Sequence, residues 1–355
     1  MKRGVNGIAS SGGRLGRPVT RDDVARRAGV SSAVVSYVLN NGPRPVAEST
    51  RQRVLEAVSE LNYRPNAAAR AFRLQRTSSF GLLVPDISNP FFAELAKAVQ
   101  DSALSHGYAV VFTDTENDPA READQIRFLA NRQVDGALMI GQTPSADLSP
   151  FTDARVPLVT FDRFEGDRDV PTVVIDDYVA AHEGVEHLRS HGHTRIAYLG
   201  GPADLPAARA RRRAWMDVVA PLGVSVDDLA VEGEFSRAGG YRAAKELLTR
   251  NTGSTALFVS TDTQSVGALR ALGEAGMRVP EDLAMLSFDG TQEAEFSSPP
   301  LSVIRQPLET MAATAVGLLL NGDARSDGIH RVVPHQLLLR ASCGHHNDSG
   351  SDLPR

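Results

Sequence analysis

Few residues in this 355-residue chain have the types and spacing that chemistry demands. His191 and His193 have the alternate spacing of a metal pair, and Cys343, His345 and His346 cluster near the end. Two donors on a turn and three on a polar tail are weak evidence for a site, so neither metal nor cofactor is expected. No P-loop, G-x-S-x-G elbow, H-E-x-x-H or G-x-G-x-x-G stands in its required context. Asp and Glu number 43, yet no pair separates as acid and base. What does stand out is Ser31 and Ser32, short hydroxyl side chains that open a helix-like run behind Gly29-Val30. Hydroxyls there can bond phosphates or base edges without blocking entry to a groove about 12 Å wide. The helix N-terminus itself favours phosphate.

The charge distribution agrees with a polyanion at that end. Residues 1–76 hold 14 Lys and Arg against 5 Asp and Glu, whereas residues 77–355 hold 24 against 38. A basic head on an acidic body suits a chain that docks a polyanion with one end; a chance basic tail is the blander reading. The single cysteine excludes an internal disulfide framework and fits a reducing, cytoplasmic setting. No stretch reaches the roughly 18–20 apolar residues of a membrane span, and no secretory leader is expected from the polar, glycine-rich start.

The elements that would carry these residues follow from pattern. Residues 1–17 read as a flexible basic arm. Within 18–63, Thr20-x-x-Asp23 has the form of a capping box for a helix to about Ala28, and Ser31 can cap a second helix ending at Asn40. A third helix is expected after Ser49 or Thr50, with Val54, Leu55, Val58 and Leu61 on one face. Val24, Ala25, Val30, Val35 and Val38 would make the small core. Helix, glycine turn and helix form a helix-turn-helix arrangement, with a bundle that binds nothing as the alternative. Residues 64–79 hold a short alanine-rich helix and a linker, too short to be stable alone.

From Phe80 to about residue 343, apolar runs near 80–86, 108–114, 135–141, 156–162, 172–176, 195–201, 229–233, 256–261 and 283–289 alternate with amphipathic helix patterns. A tenth run, 302–307, precedes a helix at 308–320. Short apolar runs separated by helices mean parallel, doubly wound sheets. Ten strands exceed one comfortable sheet, so two α/β lobes are expected, with a small ligand between the carboxyl ends of their strands. Asp176 and Asp262 read as helix caps. Residues 344–355 form a polar tail without the apolar heptad of a coiled coil.

The ordered motifs VTRDDVARRAGVSSAVVSYVLN, TRQRVLEAVSELNYRPNAAARAF, GLLVPDISNPFFAEL, GYAVVFTDT, VDGALMI, HGHTRIAYLGGP and FDG…PPLSVIRQP resemble the lactose/galactose repressor family of bacterial transcription factors. The resemblance runs through residues 18–343. It implies an all-α helix-turn-helix head, a hinge helix and a two-lobed sensor like a periplasmic sugar-binding protein. It further implies a homodimer, or a dimer of dimers, released from a palindromic operator by a sugar-like inducer. The rival class is an enzyme, a sugar-processing α/β protein with a DNA head, and turnover of a sugar would be its signature.

Carried over residue by residue, the resemblance implies that Thr20, Ser31, Ser36, Asn40 and Thr50 bond phosphates or position helices. Arg21, Ser32, Ala33 and Tyr37 would face base edges. Val34 stands where the family commonly has Thr, and Tyr37 where Arg is common, so the resemblance does not fix the operator sequence. Asn66, Ala69 and Phe72 belong to the implied hinge. Phe72 replaces the usual Leu and would wedge into the minor groove, or else pack on the partner hinge. For the sensor, the implied ligand residues are Asp86, Asn89, Phe91, Phe92, Asp162, Arg211, Phe235, Thr261 and Asp289. Carboxylates and an arginine suit sugar hydroxyls, and aromatic faces suit the apolar side of the ring. Leu205 and Ala207 stand where purine sensors of the family use polar residues, which argues against a purine corepressor.

Overall fold

The computed structural model describes residues 19–40, 44–64, 76–140, 146–161, 170–325 and 329–344. They fall into two compact units, residues 1–75 and 76–355. The expected hinge residues Asn66, Ala69 and Phe72, Asp162, and the tail histidines His345 and His346 lie outside the described residues.

In the first unit three helices, Arg21–Ala28, Ser32–Asn40 and Glu48–Glu60, close over a core of Val24, Ala25, Ala28, Val35, Val38, Val54 and Ala57. Thr20 and Asp23 make the reciprocal capping box that their spacing implies, and Gly29 at φ 66° ends the first helix in the left-handed conformation. The third helix starts at Glu48, ahead of the serine or threonine expected to open it. Its buried face is Val54 and Ala57, with Val58 and Leu61 packed beside them, while Leu55 is 46% exposed. One step of 100° separates Leu55 from that stripe, and the small Ala57 lets the helix approach the core there.

The second unit consists of two lobes, each a six-stranded sheet between helices. The first sheet holds β1 (Ser79–Val84), β2 (Ala109–Asp114), β3 (Gly136–Met139), β4 (Leu158–Thr160), β5 (Thr172–Val174) and β11 (His330–Val332), in the order β11-β5-β4-β3-β1-β2. The second holds β6 (Ile196–Gly200), β7 (Ala230–Glu232), β8 (Ala256–Val259), β9 (Ala284–Asp289), β10 (Ser302–Arg305) and β12 (Gln336–Leu338), in the order β12-β10-β9-β8-β6-β7. Pairing is parallel throughout except for β12, which runs antiparallel to β10. The chain passes between lobes after β5, after β10 and between β11 and β12, so three connecting segments cross one boundary. The central strands β1, β3 and β9 are buried on both faces, as their predominantly apolar runs require.

β11 and β12 escape a reading of the sequence for a physical reason. His330–Val332 is exposed along its length, and Gln336–Leu338 is a three-residue edge strand, so neither has a buried apolar run. Helices Arg237–Arg250 and Asp262–Glu274 touch backbone to backbone. A Cβ on Gly240 would stand 2.1 Å from the Gln264 carbonyl oxygen, and one on Gly267 would stand 2.0 Å from that of Arg237. No helix among the described residues is long and apolar enough to cross a membrane.

Candidate functional site

Two surfaces carry the expected functional residues. On the head, helix Ser32–Asn40 turns Val35 and Val38 into the core. Positions 33, 36 and 37 share the opposite stripe by their three- and four-residue spacing; the side chain of Asn40 lies outside the described residues. Ala33 is exposed and Ser32, Ser36 and Tyr37 are half-buried. Thr20 is spent on its capping box, its Oγ1 lying 2.6 Å from Asp23 Oδ2. Ser31 Oγ accepts the Val34 N–H at 3.4 Å, and Thr50, in the first turn of Glu48–Glu60, accepts from Arg53 at 3.4 Å. Arg21 opens the first helix and is exposed.

Between the lobes lies a cavity of about 200 Å³. One water occupies roughly 30 Å³ of the liquid, so the space suits a small organic molecule. Of the expected ligand residues, Asn89, Phe91, Phe92, Arg211, Phe235, Thr261 and Asp289 line it together. Asp86 does not; its Oδ1 accepts the Ser88 N–H at 2.8 Å and closes the turn after β1. Ile140, Phe161, Leu205, Ala207 and Met311 add apolar wall. Asn89, Asp177, Thr261, Asp289 and Gln306 reach the cavity from the carboxyl end of a strand or the start of the next helix, as the parallel topology dictates, and Arg211 reaches it from the second turn of helix Pro206–Val219.

Arg211 is the centre of the polar wall. Its side chain, on helix Pro206–Val219, is buried. Nε and Nη2 donate to Asp177 Oδ1 at 2.8 and 2.7 Å, and Nη1 donates to the Ser260 carbonyl at 2.7 Å. The guanidinium carbon stands 3.7 Å from the centre of the Phe288 ring, a cation–π stack. Nη1 is 3.9 Å from Asp289 Oδ1. Burial works against the charge of Arg211, but Asp177 and Asp289 more than offset it and raise its pKa. Asp289 is itself pushed up, first by burial and then by the charge of Asp262, with Arg211 and a 2.9 Å bond from Gln306 Nε2 opposing.

Asp177, Tyr178 and Gln306 were not singled out in the sequence. All three lie within four residues of the end of β5 or β10, and strand ends at lobe crossings are the signal that could have found them. Asp176 caps helix Asp177–Ser190 as expected, accepting the Val179 N–H at 3.1 Å. Asp262 does not cap: Thr261 takes that position, and Asp262 turns inward with no exposed surface. His193 bonds Thr255 Oγ1 at 2.9 Å, and His191 Nδ1 meets the Cys343 carbonyl at 3.1 Å. Among the described residues no group of three His, Cys, Asp or Glu is placed to hold a metal.

These two surfaces match known proteins over nearly the whole chain. Residues 20–66 match the lacI family of bacterial regulatory proteins, and residues 185–343 match the periplasmic binding protein-like domain. Catabolite control protein A of Priestia megaterium is 33% identical over 330 residues, which is 91% of this chain and 99% of that protein. The chain belongs to the lacI family. It is a DNA-binding transcriptional repressor by that membership, with a periplasmic-binding-protein-like sensor. The Lac repressor dimer bound to operator and the anti-inducer ONPF superposes with a TM-score of 0.82 at 26% identity, covering 93% of this chain and 100% of that one. The transcriptional regulator CelR in complex with cellobiose superposes with a TM-score of 0.69 at 29% identity, covering 92% and 100%.

Proposed function

We propose that this lacI-family member works in the cytoplasm as a homodimer that holds a palindromic operator and releases it when a sugar or sugar derivative enters the cleft. The observation that carries this reading is the composition of the cavity wall. Arg211, Asp177, Asp289 and Gln306 cluster on one side, with Phe91, Phe92, Phe161 and Phe235 among the remaining lining. Charged and amide groups bond hydroxyls directionally, and ring faces cover the C–H side of a pyranose or furanose. Leu205 and Ala207 line the same cavity and offer a purine ring no hydrogen bond from their side chains. The Lac repressor dimer on its operator and the CelR–cellobiose complex support the same assignment by likeness.

On the head, the stripe of Ser32, Ala33, Ser36 and Tyr37 enters the major groove, with Arg21 beside it and Thr20, Ser31, Asn40 and Thr50 fixing helices and phosphates. Asn66, Ala69 and Phe72 form the hinge that meets the operator centre. A thermal-shift panel of mono- and disaccharides against the full-length protein tests the effector. A cognate sugar at 100 times its dissociation constant stabilises the native state by about 2.7 kcal/mol. A panel without any shift, run beside a nucleoside and purine set that does shift the protein, refutes the sugar reading.

A further inference from the structure

Asp289 faces the cavity from an unfavourable backbone. Its φ is 111°, in the region that favours glycine, and Gly290 follows at φ 80°. An L-residue persists there only when its surroundings hold it. What holds it is Asp262, which lies outside the cavity lining. The Asp262 carboxylate accepts the Thr291 N–H at 2.7 Å and the Thr291 hydroxyl at 2.9 Å on Oδ2. Oδ1 accepts the Ser287 hydroxyl at 2.5 Å, and the Gly290 N–H also points to this carboxylate. Successive N–H groups turned to one side of such a loop form a concavity that binds an anion. Here the anion is a side chain of the protein itself. The backbone N–H of Asp262 in turn faces the Asp289 carboxylate and favours its charged form.

We infer that Asp262 is a positioning residue of the effector site, filling the concavity of the 289–291 turn and so holding the Asp289 carboxylate toward the cleft. This rests on the reading of the cleft as an effector site, and it adds a residue that the effector never touches. Ser287 sits two residues before Asp289 on the same strand and bonds both Asp262 and, at 2.7 Å, Ser265. The turn is therefore anchored at both of its ends to helix Asp262–Glu274. The arrangement also has an electrostatic signature. The charged groups facing Asp289 are Arg211, Asp262 and, across the guanidinium, Asp177. Asp262 raises the proton affinity of Asp289, so removing its charge must lower that affinity, whereas loss of packing alone would not.

The test needs no effector, which keeps its failure separate from failure of the sugar reading. Full-length protein carrying ¹³C at the aspartate carboxyls is titrated by NMR, with the Asp289 resonance assigned by its loss in Asp289→Asn. Asp262→Asn keeps the shape and one acceptor oxygen; the Asp289 midpoint should move to lower pH in this variant. Amide hydrogen exchange is read on the same proteins. Asp262→Ala should lose protection at Gly290 and Thr291 by about tenfold or more while strand β3 in the other lobe keeps its own. Where Asp262→Ala does not fold, Ser287→Ala gives the exchange result with a smaller loss. An Asp289 midpoint unchanged in Asp262→Asn overturns the inference, as does full protection of the turn in the exchange variant that folds.

Discussion

Replacing Arg211 by alanine removes a buried cation from the polar wall of the sensor cavity. The substitution removes two bonds to Asp177, one to the Ser260 carbonyl and the stack on Phe288. It leaves Asp289, 4% exposed, facing the cavity without its cation, held by Gln306. Breaking a buried ion pair from one side costs about 3–5 kcal/mol, because the remaining charge is stranded. The side chain of Asp177 is 21% exposed and recovers part of its loss from water, which puts the expected cost near the lower end, about 3 kcal/mol. Urea unfolding followed by the fluorescence of the single tryptophan, Trp215, reads this directly, since that side chain is fully buried in the second lobe.

Arg211→Lys restores a charge but not the fork that spans Asp177 and Ser260, so it should recover less than half of the loss. The pH dependence gives an independent check. Asp289 has a raised folded pKa, so the native state binds more protons than the unfolded chain above about pH 4, and stability contributed by this group falls as pH rises. Arg211 opposes that rise in pKa. Without it the window extends to higher pH, and the variant should lose stability with rising pH over a wider range than the parent. An Arg211→Ala protein within about 0.5 kcal/mol of the parent, the scale of a surface substitution, would refute the buried-pair reasoning.

Three further outcomes follow from particular contacts. Gly240→Ala places a methyl 2.1 Å from a carbonyl oxygen on the neighbouring helix, and neither backbone can yield cheaply; calorimetry should show a loss of several kcal/mol, against a gain or near-neutrality if the helices are free to part. Trp215→Phe leaves the Ile196 carbonyl without its 3.0 Å indole donor in a buried site, so urea unfolding followed by circular dichroism should show a loss of about 1–3 kcal/mol. Gln306→Leu removes an amide that bonds Asp289 within the cavity; titration calorimetry with the sugar selected by the thermal-shift panel should show affinity about tenfold lower, with the fold intact.

The alternation of strand and helix was legible in the sequence because central parallel strands are apolar on both faces and their helices are not. Runs such as 80–86 and 283–289 announce themselves for that reason, as does the capping box at Thr20. Exposed or very short edge strands, His330–Val332 and Gln336–Leu338, give no such signal and become strands only because a sheet edge is there to receive them. The lining of the cleft was legible where the family resemblance supplied the position, as at Arg211 and Asp289. It was opaque at Asp177, Tyr178 and Gln306, which enter the cavity only when three chain crossings bring the two lobes together. Asp262 shows the limit most plainly. An aspartate at a helix start has two possible uses, a cap for its own helix or an anion for a turn 29 residues away, and local spacing cannot separate them.

The measurement that bears most directly on the central claim is operator binding by the full-length protein under effector control. Selection from random duplexes supplies the operator, and fluorescence anisotropy measures affinity across a salt series with and without the sugar found by thermal shift. The account expects a palindromic site, a log–log salt slope of roughly −5 for about six neutralised phosphates, and at least tenfold weaker binding when the sugar is present. Enrichment of no palindrome, or an operator affinity that the stabilising sugar leaves unchanged, would contradict it.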